Sequence, residues 1–168
     1  MEVKEAIFSR RSVRVFAEKE VEKEKLNELA QAAIWAPTGG NAQPWVFIIV
    51  SKPETLRLIK AVSPGLLGTP PALIAVCADK PANVEKMGAI GEILAVMDCS
   101  MASQNIMLRA HDLGLGTCVI RSFSQQAVKE ILKTPAEVVP ELLVTVGYPN
   151  QDPKPPARNE DVIHWEEF

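Results

Sequence analysis

Two histidines, one tyrosine and three tryptophans are all that 168 residues contain of those types, and aromatic residues make up only 5% of the chain. Cysteine is as sparse. Cys77, Cys99 and Cys118 are odd in number, far apart and free of any C-x-x-C spacing, which argues against a disulfide framework and against a structural zinc site. The expectation is three reduced thiols and no metal. No stretch reaches the ~18 consecutive apolar residues of a membrane span, and the beginning MEVKEAIFSRR lacks the apolar core of a secretory signal. A cytoplasmic chain that keeps away from membranes is expected. Its net charge of -3 supplies no pull toward nucleic acid. Thr38-Gly39-Gly40 lacks the G-K-[ST] of a P-loop. Gly114-Leu115-Gly116 lacks the third glycine of a dinucleotide fingerprint and leads from a helix into a strand, the reverse of a Rossmann turn. His111 and His164 stand alone and read as structural residues.

What is present is the balance of an ordinary folded domain: 47% hydrophobic residues against 23% charged ones. A chain of this size hides roughly 70% of its unfolded surface without any staple. Residues 1–168 therefore read as one α+β domain. Apolar spacing predicts helices over residues 2–9 and 21–35, the second presenting Leu26, Leu29, Ala30, Ala33 and Ile34 on one face. The runs WVFIIV (45–50) and LIAVC (73–77) predict strands covered on both faces. A helix over 53–61 separates them. One long helix is expected from Val84 to Leu113, where small and large apolar residues occupy so much of the circumference that it faces a subunit interface or the centre of the core. Strands at 117–120 and 142–146 enclose a helix at 125–132. Beyond Pro149 a stretch rich in Pro, Asp and Lys leads to Val162, Ile163, His164 and Trp165, apolar residues that need a surface to cover. A second subunit offers one more naturally than the chain itself.

Two constellations carry chemistry. Arg10, Arg11, Ser12 and Arg14 cluster where the first helix ends. Guanidinium forks and a hydroxyl suit a phosphorylated ligand, while basic residues at a helix C-terminus also complement the helix dipole. The second is Ala36-Pro37-Thr38-Gly39-Gly40-Asn41-Ala42-Gln43-Pro44-Trp45, a loop whose glycines admit a planar ligand and whose Thr38, Asn41 and Gln43 offer hydrogen bonds. Asp98, inside the apolar helix, must be hydrogen-bonded and is expected to fix a local backbone or interface contact.

R-R-S-x-R followed by A-P-T-G-G-N-x-Q-P-W, then Asp98, Ala102, Gln104, Asn105, Leu108, LGLGTC at 113–118, Gly147-Tyr148-Pro149 and Arg158 with His164-Trp165, closely resembles the nitroreductase-like flavoproteins over nearly the whole chain. The resemblance implies a central mixed, mostly antiparallel sheet flanked by helices, in an intertwined homodimer whose C-terminal arm, 149–168, reaches the partner. It implies FMN as cofactor and NADH or NADPH as electron donor. Arg10 and Ser12, with Arg11 alongside, would hold the phosphate and ribityl end, joined by Arg158. The lysine that some relatives place beside that arginine is replaced here by Pro156. Arg14 would reach the N1/C2-carbonyl edge of the ring, where positive charge favours the reduced, anionic flavin. Pro37, Thr38, Gly39 and Asn41 would come from the other subunit. Val119, Ile120, Arg121 and Ser122 would lie near N5 and O4 and offer backbone N–H groups. Arg121 departs from the glycine common near this position in small members, and is expected to close part of the pocket, contact an acidic acceptor or remain a solvated loop charge. The implied activity is ping-pong transfer of hydride from NAD(P)H to a small acceptor: a nitroaromatic, a quinone or a flavin. The same resemblance covers dehalogenation and flavin fragmentation, which generally add a substrate lid, whereas Ser63–Thr69 is short. A flavin carrier without oxidoreductase activity is the non-enzymatic alternative.

Overall fold

A computed structural model describes all 168 residues. The chain runs α1 (Val3–Ser9), α2 (Lys23–Ile34), β1 (Trp45–Val50), α3 (Pro53–Ala61), β2 (Ala72–Asp79), α4 (Lys80–Met87), α5 (Gly91–Asp112), β3 (Gly116–Ile120), α6 (Gln125–Leu132) and β4 (Val138–Gly147), with 3-10 turns at Gly39–Asn41 and Gly88–Ile90. The four strands form one open sheet in the order β1-β2-β4-β3, and all three pairings are antiparallel. The only parallel pairing is an isolated bridge between Ser12 and Thr117.

Two apolar layers sandwich the sheet. Alternation along β2 sends Ile74, Val76 and Ala78 into a core with Leu26, Leu29 and Ala33 of α2 and Ala95, Cys99, Ala102 and Ile106 of α5. On the other face Leu73, Ala75 and Leu143 meet Ile59 of α3 and Val128 of α6. β2 is buried on both faces as expected. β1 also meets both cores, through Trp45, Phe47 and Ile49 on one side and Ile48 and Val50 on the other, but it is an edge strand and only half-buried.

The expected single helix from Val84 to Leu113 is broken in two. Gly88, at φ +71, terminates α4, and α5 starts at Gly91. The two helices touch closely: Asn83 donates from Nδ2 to the Gly91 carbonyl at 2.6 Å, and a Cβ at Gly91 would sit 2.5 Å from the Asn83 carbonyl oxygen. Helix α4 also begins earlier than apolar spacing indicates, because the Asp79 carboxylate accepts from the Ala82 N–H at 3.0 Å and Pro81 is tolerated in the first turn. Strand β4 is longer than expected and runs through Pro140, which sits beside the register shift at Val76/Cys77 of β2. There the ladder asks for no N–H.

Large apolar side chains remain uncovered along α5. Ile93, Met97 and Met101 are exposed on one face, Ile90 just before the helix continues the row, and Trp35 stands 83% exposed after α2. Residues 151–168 form no helix or strand, and Val162, Ile163, Trp165 and Phe168 are exposed.

Candidate functional site

The first half of the site is built where α1 ends. Arg11 donates from Nη1 to the carbonyls of Phe8 and Arg10, both at 2.8 Å, so it caps the last turn of the helix. The dipole-complementing role thus falls to Arg11. Val13 then donates to the Thr117 carbonyl at 2.8 Å and Ser12 bridges Thr117, which lays the segment along the outer edge of β3. Arg10 lies half-buried beside Arg11, Arg158 and Cys118, with no carboxylate paired to it; burial first, then the two neighbouring arginines, lower its affinity for its proton. His111, the second residue from the end of α5, meets Ser9 Oγ at 2.6 Å and is likewise pushed toward its neutral form by burial and by Arg10 and Arg11. A cavity of about 210 Å³ opens among Ser9, Arg10, Arg11, His111, Thr117, Gln151 and the single carboxylate Asp152.

Arg14 is exposed, and its main chain is pressed against Gly68: a Cβ there would lie 1.9 Å from the Arg14 carbonyl oxygen. With φ +75, Gly68 could not be another residue without moving Arg14. The segment 63–69 is tied down. Gly65 donates to the Ser122 carbonyl at 3.0 Å, and Ser63 and Leu66 are buried. It is a fixed wall along Ile120 and Ser122 rather than a lid. Strand β3 has no strand on its outer side, so alternate N–H groups of Val119 and Ile120 face away from β4.

Arg121 does not stand free. Its Nη2 lies 3.8 Å from Glu141 Oε2, and its guanidinium carbon is 5.6 Å from the centre of the Phe123 ring. Glu141 is buried, and Lys80 Nζ at 2.8 Å and Gln125 Nε2 at 3.3 Å also face its carboxylate. Sequence reasoning missed this glutamate. Its one signal was a single charge inside the apolar run Pro140-Glu-Leu-Leu-Val-Thr-Val.

The second half of the site is the 37–43 loop. Asn41 and Gln43 hold positive φ, Thr38 Oγ1 accepts from the Gln43 N–H at 3.3 Å, and Gln43 Nε2 donates to Asn41 Oδ1 at 3.1 Å. Gly39 and Gly40 face Leu94 and Met87 so closely that a side chain on either would displace them. Asp98 is buried on α5 facing the Gly39 N–H; burial holds its carboxyl above the usual range, and that N–H partly offsets the effect. The expectation that Asp98 is hydrogen-bonded is met only in part: the Gly39 N–H faces its carboxylate, while Oδ2 is buried without a partner. Burial also pushes Cys77 and Cys99 up to about 12, so neither thiol supplies a nucleophile.

The two halves do not meet within one chain. One is anchored at Asp98 and the other at His111, thirteen residues along α5 and so about 20 Å apart at 1.5 Å per residue.

The nitroreductase family model matches residues 7–64 and 58–148. A Methanothermobacter thermautotrophicus protein provisionally named NADH dehydrogenase/NAD(P)H nitroreductase is 35% identical over 159 residues, which cover 91% of this chain and 80% of that one. The FMN reductase (NADPH) of Bacillus subtilis is 29% identical over 183 residues, covering 96% and 72%. Among solved structures, the FMN-dependent nitroreductase of Clostridium difficile R20291 superposes with a TM-score of 0.82 at 29% identity, covering 99% of this chain and 100% of that one. With its antiparallel sheet between two helical layers and these matches along most of its length, the chain belongs to the nitroreductase family.

Proposed function

We propose that this chain is an FMN-dependent oxidoreductase that takes hydride from NADH or NADPH and passes it to a small acceptor, a nitroaromatic, a quinone or a flavin, with donor and acceptor using one place in turn. The observation that carries this is the group Arg10, Arg11 and Arg158, whose positive charges lie together with no carboxylate paired to Arg10 or Arg158. A phosphate dianion fits such a group. FMN, when bound, supplies the hydride-accepting and hydride-donating chemistry.

The chain's own residues then have the following parts. Arg10, Arg158 and Ser12, with Arg11 alongside, hold the phosphate and ribityl end. Arg14 sets a positive charge at the pyrimidine edge of the ring, its main chain held by Gly68. The main chain from Val119 to Ser122 offers N–H groups from the free edge of β3. Pro37, Thr38, Gly39 and Asn41 come from a second copy, because within one chain they sit at the wrong end of α5. The exposed row Ile90, Ile93, Met97 and Met101 supports pairing along that helix. Residues 1–168 act as one domain, and 149–168 as an arm that lays Val162, Ile163 and Trp165 on the partner and returns Arg158 to the phosphate.

The test is titration of FMN into protein stripped of flavin, followed by anaerobic mixing with NADH and with NADPH. Bleaching of about one flavin per chain and recovery on adding a quinone are expected. A chain that holds flavin yet is reduced by neither donor is a carrier, and the oxidoreductase reading fails.

A further inference from the structure

A larger cavity, about 810 Å³, lies between the 14–20 segment, helix α3 and the 66–71 loop. Its floor is apolar: Phe16, Leu66 and Pro70 are buried, and Leu56 is half-buried. Cations stand on its rim. Arg57 and Lys60 lie one turn apart on α3, and Arg14 lines the same cavity. None of the three is paired with a carboxylate, Lys60 donating only to the neutral Thr69 Oγ1 at 3.3 Å. A fourth, Lys19, is spoken for, stacked 3.7 Å over the Tyr148 ring and 4.0 Å from Glu22. Glu18 and Glu20 also line the cavity. An apolar floor that takes a flat ring, beneath free guanidinium and ammonium groups, is the composition of a nucleotide site.

We propose that this cavity holds the 2'-phosphorylated adenosine of NADPH, with Arg57 and Lys60 on its 2'-phosphate and Phe16, Leu56, Leu66 and Pro70 under its base. The inference rests on the flavin reading, because Arg14 is shared by the cavity and the proposed ring site, which puts the donor's nicotinamide end within reach of the flavin. It names the donor that reading leaves open. NADH, lacking the 2'-phosphate, leaves the two α3 cations without their dianion.

The test uses adenosine 2',5'-bisphosphate as probe and 5'-AMP as its control, each titrated into the full-length, FMN-loaded protein by calorimetry. The bisphosphate is expected to bind roughly tenfold more tightly than 5'-AMP, the scale of one or two charge-assisted contacts at a partly exposed site. The double variant Arg57→Gln/Lys60→Gln, changed only at exposed positions, is expected to remove that difference and to raise the KM for NADPH at least about fivefold while leaving that for NADH and both kcat values unchanged. Equal binding of the two nucleotides, or a double variant that binds the bisphosphate as the parent does, overturns the proposal. The calorimetric arm also reads on protein without flavin, so failure of the flavin reading and failure of this one give different results.

Discussion

Arg10 and Arg14 are four residues apart and carry the same charge, yet the proposed site gives them different work. Arg10→Ala would remove the proposed charge-assisted contact to phosphate and is expected to weaken FMN by about 1.5–3 kcal/mol, read as the dissociation constant of the stripped protein. Arg14→Ala is expected to lower the midpoint potential of the loaded protein, by about 30 mV for each ~1.4 kcal/mol of lost stabilisation of the two-electron reduced form. An unchanged potential in Arg14→Ala would show that it does not face the ring. Asp98 gives a pH signature. Its carboxyl is raised in the folded state by burial, so the folded chain binds more protons than the unfolded one just above the ordinary carboxylate range. Its contribution therefore declines as pH rises from about 4 through the raised value. Urea midpoints compared between the parent and Asp98→Asn are expected to diverge with pH across that window, the variant losing less as pH rises. Parallel curves would place the aspartate's proton elsewhere.

At the scale of elements, helices and strands with a clean apolar period were legible to within a residue or two: β1, α3 and α6 fall where spacing puts them. The break in the long helix was not. Its cause is one glycine at positive φ and another, Gly91, that lets α4 lie against α5, and neither shows as a change in apolar period. Helix α4 begins four residues before the expected start at Val84, with Pro81 in its first turn. In the site, the arginine cluster and the 37–43 loop were visible because their residue types are unusual together. Glu141, faced by Lys80, Arg121 and Gln125, carried only the faint signal of one charge inside an apolar run, because its partners lie far off in sequence. Gly91→Ala is expected to cost about 1–3 kcal/mol, because the added methyl meets backbone that cannot yield. Thermal melts check this, and a variant as stable as the parent would mean that α4 moves aside freely.

For the whole molecule, the proposed pairing would use the uncovered row on α5 and the apolar end of the arm in two separable ways. Met97→Lys is expected to leave the fold of the single chain intact and abolish pairing, seen by sedimentation, and to abolish flavin retention with it even though Arg10 and Arg158 are untouched. Truncation after Pro149 is expected to weaken both, whereas Arg158→Ala weakens flavin alone. If Arg158→Ala falls apart as the truncated chain does, the arm's two roles are one.

The length of α5 between Asp98 and His111 has a kinetic corollary. If neither end can complete a site alone, retention of the chromophore becomes second order in polypeptide, and a yellow solution diluted far enough should bleach without any oxidant or reductant being added. Two sites would empty with each parting, so loss of colour and loss of mass should track one another on a single curve. In a cell, newly made chains would then stay colourless until they are numerous enough to find each other, and the visible spectrum would serve as a count of encounters rather than of molecules.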